Sequence, residues 1–352
     1  MRGFVSSAPG KLVLSGEYAV LEGAPALVTA IDRRARIRFE QSGTGPLLLS
    51  AEPLGLKAFP ILEDHRFKED ALGDVRARLV TETLALIFEA LPLAREAMKS
   101  GHLSIDTTEM SLSHGGAKLG VGSSAAVAAA LVGGIGSLIE VQPMKAQRVF
   151  ELAHGAHLRF QHGRGSGIDV AASSFGGVLS FCRPAESAMP TCTPRAWPRA
   201  LKWTVVGTGV AASTSEFLTK LRTWKDEDHN KYNGLMGELE RLSREAVSTT
   251  PLDWVDWSLR WCEILERLGN SIGAPIMSEQ HLNFRDFAQD NGLGYKPSGA
   301  GGGDAGFFVV PENRSLDEVG TLLNARNIHM LPLSPDASGV TIESLESSES
   351  QG

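Results

Sequence analysis

Lys118-Leu-Gly-Val-Gly-Ser-Ser-Ala-Ala-Val-Ala-Ala-Ala-Leu131 is the stretch whose reading decides the fold. Its glycines let the backbone approach a ligand closely. Ser123 and Ser124 can cap a helix and offer hydroxyls, and the alanine-rich run predicts that helix over 123–139. A helix start points free N–H groups and the positive end of its dipole at whatever sits in the preceding loop. That is the physics of a phosphate site. No Gly-Lys-Ser/Thr follows at the required spacing, so the loop is not a Walker A motif, and it is not Gly-x-Gly-x-x-Gly either. From these residues alone, an ordinary glycine turn with a serine cap before a buried helix reads equally well.

Outward from this loop, residues 3–41 read as strand, glycine turn and strand, with Arg34-Ala-Arg-Ile-Arg-Phe-Glu40 alternating at period two. A helical stripe is expected over 74–99 from Val75, Leu79, Val80, Leu84, Leu86 and Ile87. A strand is expected at 102–106, a helix over 145–160, and another strand from Gly176. Four prolines between 183 and 200 predict a linker or irregular crossing. Strand structure reopens at Trp203, and helices are expected at 214–224, 232–248, 252–268 and 276–291. Trp254, Trp257 and Trp261 fall at i, i+3 and i+7, a core-facing stripe. Phe307–Val310 and Val340–Ile342 read as strands. Strands and helices mix without strict βαβ alternation, so the expected fold class is α+β with two domains. The expected division is 1–185, 186–345 and a disordered polar tail at 346–352.

Three further segments carry chemistry. Lys296-Pro-Ser-Gly-Ala-Gly-Gly-Gly-Asp-Ala-Gly306 spends five glycines, costly in conformational entropy, so it reads as a phosphate-cradling or closely packed loop, or as a hinge. Ala8-Pro-Gly-Lys11 sets a lysine right after a turn, where an isolated lysine is usually solvated. Asp169 follows Gly165-Ser-Gly167, where a helix cap is the plain reading. His154, His157 and His162 have no metal-protease spacing and no carboxylate between them, which argues against zinc.

Composition sets outer bounds. The chain has 352 residues, about two domains by length, and a formal net charge of -7. That charge argues against nucleic-acid binding and requires any anion site to be local. No run of 18 or more apolar residues indicates a membrane span. Three scattered cysteines predict a reduced, cytoplasmic setting.

Together these segments resemble the GHMP kinase superfamily, in the family's order, from Ala8 to Phe308. Pro9–Leu21 resembles its first motif, Gly120–Ala126 its ATP loop with Val121 in place of the usual leucine, and Ser298–Asp304 its third motif. Within the superfamily, Ala153–Gly177 and Ser213–Leu218 are similar to the phosphomevalonate kinase branch, with Arg164 where lysine is common. The resemblance implies a ribosomal-protein-S5-like N-terminal domain, a ferredoxin-like C-terminal domain, and ATP and acceptor meeting between them. It implies Lys11 and Asp169 as catalytic residues, and Lys118, Gly120, Val121, Gly122, Ser123, Ser124, Ala125 and Ala126 around ATP. Ser124 is the expected Mg2+ ligand. Leu158 stands at the offset where mevalonate-kinase-like members carry an acidic metal partner, which leaves Glu17 as a weak substitute. Lys11, Glu17, Tyr18, Arg164, Ser166, Gly167, Ser213, Ser298, Gly299, Ala300 and Gly301 are the expected substrate-side residues, with Lys220, Arg222 and Lys225 as further cations or a plain solvated helix face. The expected reaction is ATP-dependent phosphorylation of a small anionic substrate, 5-phosphomevalonate, by a monomer or homodimer. The alternatives are mevalonate kinase, another GHMP kinase, or a silent nucleotide-binding protein on the same fold.

Overall fold

A computed structural model describes residues 2–111, 119–140, 142–183, 189–210, 214–248 and 252–346. The apolar runs flanking the first turn become two long antiparallel strands, β1 (Arg2–Ser15) and β2 (Ala26–Gln41). The second half of β2 keeps the sequence's alternation, with Ala35, Ile37 and Phe39 buried and the residues between them more open. These strands centre a sheet completed by β3 (Leu47–Ala51), β4 (Leu56–Glu63), β5 (Arg66–Phe67), β6 (Gly101–Asp106), β7 (Val178–Cys182), β8 (Thr191–Arg195) and β13 (Thr341–Glu346). Its path runs β13-β1-β2-β6-β3-β4-β5, and β7 joins β2 to β8. A second sheet, ordered β10-β11-β9-β12, holds β9 (Lys202–Gly207), β10 (Gly294–Pro297), β11 (Ala305–Val310) and β12 (Met330–Leu331). The mixed α+β class stands.

The alanine-rich helix forms at Ser123–Ser137 and is buried from Ala125 through Gly136. Its small residues permit contact with β1 at backbone range. A Cβ on Gly134 would sit 2.2 Å from the Phe4 ring, and the Ser6 hydroxyl donates to Ala130 O at 2.8 Å. The tryptophan stripe also lies where expected, with Trp257 and Trp261 fully buried in helix Trp254–Ile272.

Three expectations need correction. The single helix over 74–99 is two, at Arg78–Ala90 and Pro92–Ala97, with a separate short helix before it at Glu69–Gly73. Leu91 leaves the helical region and Pro92 restarts the next helix, since proline suits a first turn but not an interior. Val75 is 79% exposed and belongs to no stripe. The proline-rich crossing contains a strand, β8, paired with β7 along Val178–Arg195 to Cys182–Thr191. The expected tail start, Glu346, pairs with Arg2 at the end of β13, while 347–352 lie outside the described residues. We keep the division at 185/186 as a proposal about domains; β8 and β13, from beyond it, join the larger sheet. No helix among the described residues is long and apolar enough to cross a membrane.

His281 sits fully buried behind the second sheet. Its Nε2 is 3.0 Å from Gly303 O, and a carbonyl only accepts, so Nε2 carries the proton. Nδ1 then accepts from the Tyr295 hydroxyl at 2.7 Å. Burial pushes this imidazole from 6.5 down to about 4; the Gly303 bond opposes the shift and the Lys296 charge adds to it. A depressed histidine is protonated on unfolding, so its contribution is intact above pH 6.5 and lost as pH falls toward 4. Unfolding free energy is expected to drop by about 1.4 kcal/mol per pH unit across that window from this residue. Urea titrations of wild type and His281→Gln at several pH values check this, and parallel pH slopes would refute it.

Candidate active site

A cavity of about 430 Å3 opens between the two sheets. Lys11 and Val13 of β1 form one wall and Gly120–Ser124 form another. Ser166, Ile168 and Asp169 close a third side, with Ser298–Ala300 and Asp304 facing them.

The glycine loop has the backbone its sequence demands. Gly120 and Gly122 take φ of 70° and 80°, a region that costs other residues about 1–2 kcal/mol. Gly122, not a serine, occupies the N-cap position, and no side chain caps the helix; Ser123 begins it. The expected serine cap is therefore corrected. The first-turn N–H groups at the cavity are not taken by a capping side chain, as an anion site requires. Ala125 and Ala126 are fully buried beneath the loop rather than lining the cavity.

Lys11 is no solvated surface lysine. Its N–H donates to Val121 O at 2.8 Å, and its Nζ donates to Gly120 O at 2.9 Å. Asp169 lies in the first turn of helix Ile168–Phe175, whose N-cap is Gly167, so Asp169 is not the cap. Its Oδ1 accepts from Val170 N–H at 2.9 Å. A Cβ on Gly122 would fall 3.2 Å from Lys11 Cγ and 3.5 Å from Asp169 Cβ, so the cation and the carboxylate flank the loop at that point. The Asp304 side chain abuts the other glycine, 2.3 Å from where a Gly120 Cβ would be.

The histidines that suggested metal serve the loop instead. His157 Nε2 lies 3.0 Å from the Ser124 hydroxyl and is 2% exposed. His154 stacks on Phe150 and backs Gly167, where a Cβ would strike its ring at 2.3 Å. Burial holds His154 at about 4, against the pull of Asp169, so it stays neutral near pH 7.

Across the cavity, Ser298, Gly299 and Ala300 are stitched to the first motif. The Ser298 hydroxyl accepts from Val13 N–H at 2.8 Å. The Tyr18 hydroxyl donates to Ala300 O at 2.5 Å, and burial, with the neighbouring Glu17 charge, raises that phenol above its ordinary value. Glu17 is buried, and its Oε1 is ion-paired with Lys296 while its Oε2 has no hydrogen-bond partner.

Several expected residues are not brought here. Arg164 is exposed and off the lining, in the loop between two helices. Gly167 and Gly301 lie behind the wall; a Cβ on Gly301 would meet Ile276 O at 2.4 Å. Lys220 donates to Gly273 O and pairs with Glu216, Lys225 pairs with Glu22, and Arg222 is off the lining. Lys118 and Ser213 lie outside the described residues, although Thr214, next to the latter, lines the cavity. Sequence reasoning missed His157 as a partner of Ser124, and missed Gln161, Phe160 and Leu218 on the walls. Among described lining residues Lys11 is the one cation, against carboxylates at Glu17, Asp169 and Asp304.

Residues 79–177 match the family described as GHMP kinases N terminal domain. The chain is 28% identical over 328 residues to a mevalonate kinase of Thermococcus sibiricus, covering 91% of this chain and 92% of that one. It is also 28% identical over 377 residues to a phosphomevalonate kinase of Streptomyces sp. strain CL190, covering 96% and 99%. Its fold matches the Streptococcus pneumoniae phosphomevalonate kinase solved in complex with phosphomevalonate and AMPPNP, with a TM-score of 0.69 and 19% identity over 94% of this chain and 99% of that one.

Proposed function

We propose, for a chain whose 79–177 segment matches the GHMP kinases N terminal domain, ATP-dependent phosphoryl transfer to a small acceptor of the mevalonate pathway, namely 5-phosphomevalonate. The observation that carries phosphoryl transfer is the convergence at Gly122, where Lys11 and Asp169 flank an uncapped helix start. Such transfer needs positioning and charge stabilisation more than covalent chemistry by the protein. The loop N–H groups suit the nucleotide phosphates, and Lys11 suits the charge that develops as the acceptor oxygen bonds to the γ-phosphorus and ADP leaves.

The donor set fits Mg2+. Its oxygens come from the Ser124 hydroxyl and the Asp169 carboxylate, and among the described residues no group of three or more His, Cys, Asp or Glu forms a metal cage. Mg2+ usually takes few protein ligands and completes its shell with phosphate oxygens and water. The bound ion would neutralise phosphate charge. His157 orients the hydroxyl of Ser124.

Acceptor identity is supported by Ala153–Gly177, whose Gly165–Asp169 portion reaches the cavity, and by the similarity to the Streptomyces enzyme. Mevalonate is a second reading, favoured by the scarcity of cations on the described lining. A phosphomonoester has a second pKa of about 6, so its attacking oxygen is already anionic and it calls for cations. An alcohol must lose a proton, which calls for Asp169 as base. Steady-state ADP release with mevalonate, 5-phosphomevalonate, 5-diphosphomevalonate and galactose tests the assignment. Turnover of 5-phosphomevalonate is expected. Asp169→Asn should lower kcat about 10²- to 10⁴-fold more on an alcohol acceptor, which loses its base, than on a phosphate acceptor, where only the carboxylate's hold on Mg2+ is weakened. Turnover of mevalonate alone moves the acceptor to the alcohol, and ATP binding without any turnover leaves a silent binder.

A further inference from the structure

Lys296 is 0% exposed, in the second sheet, and does not line the cavity. A buried ammonium is costly unless it is paired and hydrogen-bonded. Here Nζ donates to Glu17 Oε1 and to Pro297 O, the latter at 2.8 Å. It also lies over the rings of Trp261 and Phe307, at 5.3 and 5.7 Å. Glu17 is 6% exposed, and the same Oε1 accepts from Gly299 N–H at 3.2 Å. One carboxylate oxygen therefore ties the lysine and the third glycine motif to the turn after β1.

Three neighbouring bonds run in parallel. Val13 N–H donates to the Ser298 hydroxyl, which donates on to Val13 O at 3.1 Å, and Tyr18 donates to Ala300 O. Val13 follows Lys11 by two residues on β1, and a Cβ on Gly299 would lie 3.7 Å from Lys11 Nζ. The segment so fastened faces the cation.

We propose that Glu17 and Lys296 are positioning residues: a buried clamp between the two sheets that fixes Ser298–Ala300 against the strand bearing Lys11. This rests on the kinase reading above. Stability alone gives little reason for the pair, because apolar replacement of a buried ion pair is often neutral or stabilising, whereas removing one partner is strongly destabilising. What the pair supplies beyond packing is direction, since apolar side chains could not hold the Gly299 N–H.

The test uses the full chain as Lys296→Met, Glu17→Leu/Lys296→Met and, separately, Tyr18→Phe. The single Lys296→Met should lower Tm by stranding Glu17, and the double variant should recover much of that loss. Its kcat should stay about 10- to 100-fold down, the range expected from a 1 Å misplacement. KM for the acceptor should move little, because loss of a plain binding contact raises KM at constant kcat. Amide hydrogen exchange at 298–303 should quicken in the double variant, a readout that stands whether or not an acceptor turns over. A double variant with wild-type kcat and wild-type exchange overturns the clamp. If the double variant does not fold, Tyr18→Phe decides: it cuts a parallel bond without burying a charge, and unchanged kcat and exchange in it overturn the clamp as well. An inactive wild-type enzyme with ATP bound sinks the kinase reading instead, and exchange still reports on the clamp.

Discussion

Lys11→Ala is expected to lower kcat about 10²- to 10³-fold, the range seen when one preorganised electrostatic group is removed from a reacting centre. Nucleotide affinity should change far less, because the phosphate loop keeps its backbone donors. The argument is local. Lys11 is held to Gly120 O at 2.9 Å, and its own N–H is paired with Val121 O. Its aliphatic stem passes beside Gly122, with Asp169 on the other flank. Loss of the side chain leaves the cavity wall without its one described cation. The lost bond to Gly120 costs about 1 kcal/mol of stability, too little to unfold the chain. Paired measurements of kcat by ADP release and Kd by nucleotide titration separate the effects. A rate within a few-fold of wild type means that Lys11 only satisfies a carbonyl.

Gly120→Ala is expected to cost about 10²-fold in kcat/KM, because the loop must shift by the order of 1 Å. Two faults combine at this position. The backbone φ of 70° is strained for alanine, and the new methyl would lie 2.3 Å from both Cβ and Cγ of Asp304. Neither atom is the far end of a flexible side chain, so the loop or the Asp304 turn must give way. Gly163 is the control: its φ is also positive, at 76°, but a Cβ there meets nothing within 4 Å. Gly163→Ala should keep near-normal kinetics. Equal losses in the two variants would mean that strain alone, not closure of the phosphate loop against Asp304, sets the effect.

The glycine loop was legible because its backbone demands are local. Gly120 and Gly122 need a backbone region that only glycine enters cheaply, and the helix behind them announces itself through small residues. The tryptophan helix was legible for the same reason, since its period is written in consecutive turns. Residues whose role depends on direction were not legible. Arg164 sits in a matching motif, yet it is exposed and off the cavity lining. His157 was weighed as a metal ligand, because spacing along a helix does not say which loop the helix faces. Lys296 is a charge inside a four-residue strand, and a charge ordinarily argues against burial. Its partner lies 279 residues away, beyond any pattern read along the chain. β8 was hidden by Pro194, which the edge of a sheet tolerates and a central strand does not. β4 was hidden by Pro60, which sits beside a register shift in its pairing with β3.

The most direct test of the central claim is phosphorus NMR of the purified protein with ATP, Mg2+ and 5-phosphomevalonate. The account predicts that the γ-phosphate signal of ATP declines while ADP and a new acceptor diphosphate grow in equal amounts, and that Lys11→Ala slows this conversion while still binding ATP. Bound ATP that persists unchanged in the presence of 5-phosphomevalonate and of mevalonate would contradict it.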